Sequence, residues 1–159
     1  MRTETGTPTG VGMRGRRVAG VPRVTGEFVF GTDLRTTGML HGYVVRSPHA
    51  HARILSIDGS KALAMPGVRA ALTSEDLPAK RTYGLEVDDQ PFLAGDGVRY
   101  EGEPIAVVVA DTEREARAPG EAVVVEYEVL PALTDMEEAL RPDAPQLHEW
   151  GNVVRHLRI

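Results

Sequence analysis

His49 and His51 are the residues whose type and spacing look most suited to metal chemistry. On a strand, side chains two residues apart project from one face, so the two imidazole rings could share a metal ion. The neighbouring sequence offers no third ligand. Because Ser47-Pro48 comes just before, we interpret this segment as a turn whose histidines bond the backbone or pack at an interface, and we assign no metal ligand.

Three pairs of carboxylates could in principle serve acid–base catalysis: Glu101 with Glu103, Asp88 with Asp89, and Glu126 with Glu128. Such catalysis requires one member of a pair to be desolvated, which raises its pKa. Glu126 and Glu128 alternate with apolar residues, which indicates a solvated strand face. A small hydrolase using Glu101 or Glu103 remains an alternative, but no partner groups converge on them in sequence.

The N-terminal segment contains Gly10-Val11-Gly12-Met13-Arg14-Gly15, which matches the G-x-G-x-x-G pattern of dinucleotide-binding loops. No apolar strand precedes it, and the following residues lead to Pro22 rather than into a helix that could face a pyrophosphate. We therefore predict a glycine-rich arm. Its basic cluster, Arg14, Arg16 and Arg17, favours docking on another subunit or domain.

Composition excludes several classes of function. The 159 residues suit one compact domain, and the absence of cysteine rules out disulfides, thiolate nucleophiles and cysteine-ligated zinc or iron–sulfur clusters within this sequence. With 18 basic against 23 acidic residues, the net charge of −5 argues against nucleic acid as a partner. No apolar run approaches the roughly 20 residues of a membrane span. We expect a cytoplasmic protein that binds neither nucleic acid nor membrane.

Short strands and short helices alternate along the chain, which predicts an α+β fold rather than a doubly wound sheet. Strands are expected at 40–46, at Ala52–Asp58 with Leu55 and Ile57 facing inward, at 67–72, at Ala122–Val129 and, most clearly, at Pro104–Ala110. A long loop is expected at 78–97.

Three short helices are expected between the strands. Asp58 or Ser60 caps a brief helix that runs through Met65. The capping box that begins at Thr112 predicts a helix that starts at Glu113. The capping box that begins at Thr134 predicts a small helix that runs through Leu140. Pro119-Gly120 should end or distort the Thr112-capped helix.

Residues 46–54, Arg46-Ser47-Pro48-His49-Ala50-His51-Ala52-Arg53-Ile54, resemble a signature near the start of molybdenum hydroxylase large subunits. This group includes the xanthine dehydrogenases and aldehyde oxidases, and the details are most similar to the bacterial xanthine dehydrogenases. Similar strings continue in order over about residues 10–159: Arg23-Val24-Thr25-Gly26, Gly38-Met39-Leu40-His41, Met65-Pro66-Gly67-Val68, Asp89-Gln90-Pro91, Gly102-Glu103-Pro104-Ile105-Ala106, Val125-Glu126-Tyr127-Glu128 and Gly151-Asn152-Val153-Val154.

The resemblance implies an α/β hammerhead domain, with small mixed sheets and short helices, that packs against molybdenum-binding domains. For the full assembly it implies molybdopterin, iron–sulfur clusters and FAD, and hydroxylation of a purine, an N-heterocycle or an aldehyde with oxygen from water. The family's catalytic glutamate and pterin-binding loops belong to later domains. No catalytic, cofactor-binding or metal residue is therefore transferred to this chain, which is expected to bind no cofactor itself.

We accordingly expect an extended Arg/Gly-rich arm at 1–22, the hammerhead domain at 23–150, and at 151–159 the start of a connection to a missing molybdenum-binding region. The chain would be a catalytically silent component of a xanthine dehydrogenase-like enzyme. Its partners would be the molybdenum-binding region and the iron–sulfur and flavin subunits. The alternative is a free-standing interaction module that uses the arginine arm to bind an acidic or hydrophobic partner.

Overall fold

The structure, a computed structural model, describes residues 17–78, 80–85 and 87–159. The glycine-rich motif at 10–15 and the side chains of Arg14 and Arg16 lie outside these residues. The chain divides into two compact units, the first ending at Thr37 and the second spanning Gly38–Ile159. The division falls fifteen residues after the arm boundary that the sequence suggested. Moreover, residues 20–22 are not extended, because they open the first helix.

The described part of the first unit contains α1 (Gly20–Thr25) and a 3-10 turn (Gly31–Asp33). The guanidinium of Arg23 lies 4.6 Å from the ring centroid of Phe28 and 5.7 Å from that of Phe30. The two rings meet edge to face at 4.9 Å. Cation–aromatic contacts of this kind contribute about 0.5–1 kcal/mol at exposed sites, so Arg23 helps to order a segment whose helix buries no residue.

The second unit is built from short antiparallel strands: β1 (His41–Arg46), β2 (Ala52–Asp58), β3 (Val68–Leu72), β4 (Thr82–Tyr83), β5 (Gln90–Pro91), β6 (Gly97–Val98), β7 (Pro104–Ala110) and β8 (Val124–Val129). One sheet has the order β1-β7-β3 and another the order β6-β2-β8, while β4 and β5 form a two-stranded hairpin. The loop expected at 78–97 therefore contains the hairpin and the start of β6.

In its described residues the second unit has three helices, α2 (Ser60–Leu63), α3 (Glu113–Glu121) and α4 (Met136–Ala139), and a 3-10 turn covers Ser74–Asp76. Asp58 accepts the backbone N–H of Ser60 at 2.9 Å, so α2 starts where the sequence indicated, although it ends before Met65. Within the described part of the chain, no helix is long and apolar enough to cross a membrane.

The cap of α4 differs from the one expected. The Asp135 carboxylate accepts the backbone N–H groups of Glu137 and Glu138 at 2.8 and 3.0 Å, and Thr134 does not serve as the N-cap. A carboxylate at an N-cap satisfies two otherwise unpaired donors and also favours the positive end of the helix dipole. Asp135 is therefore the N-cap of α4 in place of Thr134.

β7 is the central strand of its sheet and lies at the centre of the core, with the bounds that the sequence predicted. Ile105 is fully buried and packs with Ala52 and Ile54 of β2, Ala94, and Val98 of β6. This cluster joins the two larger sheets. Ile57, Val125 and Tyr127 pack around it as partly buried neighbours.

β2 corrects one expectation about the core. Leu55 was expected to face inward, but it is 59% exposed whereas Ile54 is buried at 9%. The register of β2 against β8 shifts between Ile54 and Ser56, which marks a bulge. A bulge adds one residue to a strand and reverses the alternation beyond it. Ile54 and Ile57 consequently both approach the core although they are three residues apart.

α3 corrects a second expectation. The helix continues through Pro119 and Gly120 to Glu121, and both of these residues are buried. Thr112 starts the helix as predicted, because its hydroxyl accepts the Glu115 N–H at 3.2 Å. Pro119 lacks the N–H of one helical hydrogen bond, and it lies buried near the end of the helix. α3 lies against β1 and β7, so tertiary contacts extend a helix that the local sequence disfavours.

Acid should destabilise this fold through exposed carboxylates that are paired in the folded state. Hydrogen bonds from Arg69 at 2.8 and 2.7 Å hold the pKa of Asp111 below its usual value, and hydrogen bonds to Ser60 and Lys80 lower the pKa of Asp58 and Asp88. Because the folded-state pKa is the lower one, the stabilisation is present above pH values of about 4 and is lost as the pH falls through the folded-state value.

We therefore expect the free energy of unfolding in urea to fall between pH 6 and pH 3, and Asp111→Asn to flatten that dependence. Asp143→Asn is the matched control, because it removes an exposed carboxylate that forms no ion pair or side-chain hydrogen bond with the residues that the structure describes. Equal pH dependence in the two variants would contradict a stabilising role for the Arg69–Asp111 pair.

Candidate functional site

The loop between β1 and β2 carries both histidines, and each ring has its own partner. His51 Nδ1 lies 2.7 Å from the carbonyl oxygen of Pro131, so this nitrogen carries the proton and donates. The His49 ring meets the Tyr127 ring edge to face at 4.8 Å. In the described residues no group of three metal-ligating side chains comes together. The histidines instead fasten this loop to β8 and to the segment after it.

Ser47 organises the same loop from a buried position. Its hydroxyl accepts the N–H of His49 at 3.0 Å and donates to the His49 carbonyl at 2.9 Å. Burial raises the pKa of Tyr127, and a hydrogen bond with Ser47 partly opposes that rise. The Ser47 backbone also exchanges hydrogen bonds with Glu103 and Gly102, at 2.9 and 2.8 Å. A serine so fully engaged is a structural residue and not a free nucleophile.

Glu101 and Glu103 do not act as a pair. Glu101 is exposed, whereas Glu103 is buried at 2% and accepts the backbone N–H of Arg99 at 2.6 Å. A buried carboxylate needs such a donor because desolvation penalises its charge. Glu103 therefore closes the turn that precedes β7.

Asp88 and Asp89 separate in the same way. Asp88 bonds Lys80 Nζ at 2.5 Å, and Asp89 accepts a hydrogen bond from His148 Nδ1 at 2.7 Å. The His148 ring in turn stacks on Trp150 at 5.0 Å between centroids. The two adjacent aspartates therefore contact different residues, Asp88 with Lys80 and Asp89 with His148.

The acidic face of β8 is solvated, as the alternation indicated. Glu126 accepts the Ser56 hydroxyl at 3.0 Å, and Glu128 forms an exposed ion pair with Arg53. Both contacts link β8 to β2 across the strand register. Exposed cross-strand pairs of this kind contribute up to about 1 kcal/mol, so these glutamates support the sheet and face water.

The best convergence of titratable side chains is a cavity of about 330 Å³ lined by Asp89, Arg99, Tyr100, Glu103 and His148, together with Gln90, Pro91 and Leu147. The Asp89–His148 pair has the arrangement of a base with its orienting carboxylate. However, no serine, threonine or cysteine lines the cavity, and both side chains remain about a quarter exposed. The arrangement links two chain segments and lacks the nucleophile and the dry environment that catalysis by such a pair requires.

Asn152 is a structural residue to which the sequence assigned no role. Its side-chain oxygen accepts the Leu147 N–H at 2.9 Å, and its amide donates to the carbonyls of Ala139 and Pro145 at 3.1 and 2.9 Å. Its only signal in the sequence was its place in a family-like string. Asn152 fixes the segment that presents His148 and Trp150.

The described residues show no unpaired buried polar side chain that would indicate a bound cofactor. Every buried side-chain nitrogen or oxygen atom of these residues has a hydrogen-bond partner. The sequence contains no cysteine that could ligate an iron–sulfur cluster. Without cysteine these residues do not fit an iron–sulfur cluster, and no chemical step is assigned through a cluster or a molybdopterin.

Comparison with known proteins gives consistent matches. The family described as "Aldehyde oxidase and xanthine dehydrogenase, a/b hammerhead domain" matches residues 25–131. A probable xanthine dehydrogenase subunit of Bacillus subtilis is 46% identical over 138 residues, which are 87% of this chain and 18% of that protein. The nicotinate dehydrogenase large molybdopterin subunit of Eubacterium barkeri is 39% identical over 143 residues, which are 89% of this chain and 34% of that protein.

Solved structures agree with this match. The aldehyde oxidoreductase of Desulfovibrio gigas superimposes with a TM-score of 0.77 at 36% identity, over 84% of this chain and 16% of that one. The carbon monoxide dehydrogenase of Oligotropha carboxidovorans superimposes with a TM-score of 0.79 at 42% identity, over 87% of this chain and 18% of that one. The chain thus spans between about a sixth and a third of these proteins. The α+β fold and the family resemblance are confirmed, and the chain belongs to the a/b hammerhead domain family of the aldehyde oxidases and xanthine dehydrogenases.

Proposed function

We propose that this chain is a non-catalytic structural domain of a molybdenum-cofactor oxidoreductase of the xanthine dehydrogenase and aldehyde oxidase type. The observation that carries the proposal is the match to the hammerhead family over a segment that is only 18% of the Bacillus subtilis relative. The candidate side chains support it, since His49, His51, Glu103, Asp89 and His148 are engaged in contacts between chain segments. No residue of this chain is proposed to be catalytic, cofactor-binding or metal-ligating.

The variety of the relatives supports a scaffolding role. Proteins at 46%, 39% and 44% identity are named for xanthine, nicotinate and carbon monoxide. A domain that persists while the named substrate changes is not the part that selects the substrate. We propose that the whole enzyme hydroxylates a purine, an N-heterocycle or an aldehyde with oxygen from water, and that other regions choose among them.

The proposal extends to the organisation of the enzyme. The parts would be an arm at 1–22, the hammerhead domain at 23–150, and a connecting segment at 151–159. The partners would be a molybdenum-binding region and iron–sulfur and flavin subunits, which would hold molybdopterin, the clusters and FAD in the cytoplasm. Membership of a family whose relatives are named as enzyme subunits supports this organisation.

The purified 159-residue chain should oxidise neither xanthine nor an aldehyde with an added electron acceptor, and should contain no molybdenum by elemental analysis. The reason is that the candidate side chains His49, His51, Glu103 and Asp89 are engaged in structural contacts. The control is a hybrid in which this chain replaces the matching region of the Bacillus subtilis protein, within the assembled enzyme. Turnover by the isolated chain, or an inactive hybrid, would contradict the proposed function.

A further inference from the structure

The contact between Asp89 and His148 joins two segments that are far apart in the sequence. His148 Nδ1 lies 2.7 Å from a carboxylate oxygen of Asp89, and the two side chains are 24% and 28% exposed, His148 being the first. The imidazole also stacks on Trp150, with 5.0 Å between the ring centroids and 22° between the ring planes. We call these three side chains the histidine clamp. The clamp holds residues 147–154 beside the β4–β5 hairpin.

The charge on His148 determines how strong this contact is. Because a carboxylate oxygen accepts at Nδ1, that nitrogen keeps its proton in both charge states of the ring, and the second proton is gained or lost at Nε2. With a neutral ring the contact is a hydrogen bond, whereas with a charged ring it is an ion pair as well. Salt and water screen this attraction only in part, since both side chains are largely covered. Protonation of His148 therefore tightens the clamp.

The charged and titratable groups that line the same cavities as His148 come from several elements. They are Asp89, Tyr83 of β4, Asp135 at the start of α4, and Arg99, Tyr100 and Glu103 of the turn before β7. The segment of His148 itself adds the exposed Glu149. Histidine is the one side-chain type in this set whose charge ordinarily changes between pH 5 and 8. A change in the strength of the clamp within that range is therefore attributed to His148.

Asn152 limits which part of the structure can respond. Its side chain bonds the Leu147 N–H and the carbonyls of Ala139 and Pro145, at 2.9, 3.1 and 2.9 Å. None of these groups titrates, so the segment stays attached to the end of α4 at any pH near neutrality. A weaker clamp consequently separates residues 147–154 from the hairpin without unfolding them.

We propose that the histidine clamp is a pH-dependent switch, in which protonation of His148 holds residues 147–154 against the β4–β5 hairpin and deprotonation weakens that hold. The contact is strongest between about pH 5 and pH 6, where aspartate is charged and histidine is protonated, and it weakens as the pH rises through about 7. The switch lies within this chain and does not depend on the proposed function.

The sequence allows a direct fluorescence test, since Trp150 is its only tryptophan and it contains no cysteine. A nitroxide attached to Leu85→Cys quenches Trp150 at short range, because Leu85 is fully exposed and lines the same cavity as the tryptophan. The unquenched lifetime component of Trp150, corrected with the unlabelled protein at each pH, measures the released fraction. It should be roughly threefold larger at pH 8 than at pH 5.5, the change expected from one partly exposed ion pair.

Asp89→Asn and His148→Gln should each abolish this pH dependence, since the first removes the carboxylate and the second removes the titrating ring. His156→Gln is the matched control, because it removes an exposed histidine that lies eight residues later and should leave the dependence intact. Circular dichroism checks that each variant is folded.

Three results would overturn the switch. The first is a released fraction that is equal at pH 5.5 and pH 8 in the labelled chain. The second is a pH dependence that survives in either Asp89→Asn or His148→Gln. The third is its loss in His156→Gln, which would assign the titration to a different ring.

Discussion

Replacing Ile54 by alanine is expected to lower the free energy of unfolding by about 3 kcal/mol, whereas Leu55→Ala should cost less than about 0.5 kcal/mol. Ile54 is buried at 9% in the cluster that joins the two sheets, so its truncation leaves a cavity against Ile105. Leu55 is 59% exposed, and water already contacts most of its side chain. Urea denaturation followed by circular dichroism at pH 7 measures both values.

The pair of variants tests the bulge in β2 directly, since the two residues are adjacent and of equal size. Uninterrupted alternation from Ile57 backward would place Leu55 in the core and Ile54 outside. The larger loss would then belong to Leu55→Ala. Such a reversal would show that β2 pairs with β8 without the register shift between Ile54 and Ser56.

Gly120→Ala is expected to cost about 2 kcal/mol, because a methyl group at this position has no room. Its Cβ would lie 2.0 Å from Cδ1 and 2.6 Å from Cε1 of Tyr43. Overpacking of this kind costs about 3 kcal/mol, and the better helix propensity of alanine returns up to about 1 kcal/mol. Thermal and urea unfolding report the loss.

A double-mutant cycle shows whether Tyr43 is the cause. In a Tyr43→Ala background the ring is absent, so Gly120→Ala should become nearly neutral even though the background itself is less stable. Gly31→Ala is the control, because its Cβ would meet no atom within 4 Å. An unchanged cost of Gly120→Ala in the Tyr43→Ala background would refute close packing of α3 on β1.

Ile54→Ala and Gly120→Ala both test contacts that hold the two larger sheets and α3 together. Ile105 reaches from β7 to β2, and Gly120 lets α3 approach β1. Neither contact resembles a catalytic feature, and both depend on small details of side-chain shape. The proposed structural role requires such close packing, because a domain that binds a partner must keep the geometry of its surface.

The contacts of the candidate site join residues that the sequence does not place together. Asp89-Gln90-Pro91 and the string that contains Asn152 both resemble family strings, but nothing in the sequence indicates that Asp89 lies beside His148. Similarly, the spacing of Glu101 and Glu103 suggested a pair, whereas burial separates an exposed side chain from one that closes a turn. Pairs of carboxylates that are close in sequence share a site only if the backbone directs both side chains to it.

The sequence by itself determined the α+β class, the bounds of β2 and β7, the start of α3 at its Thr112 cap, and the family. These features depend on hydrophobic alternation, capping and ordered motifs, which act over a few residues and are therefore readable along the chain. Tertiary structure alone decided the bulge that buries Ile54, the continuation of α3 through Pro119, and the meeting of Asp89 with His148. The physical reason is that each of these depends on contacts between residues far apart in sequence, whose packing energy outweighs local preference.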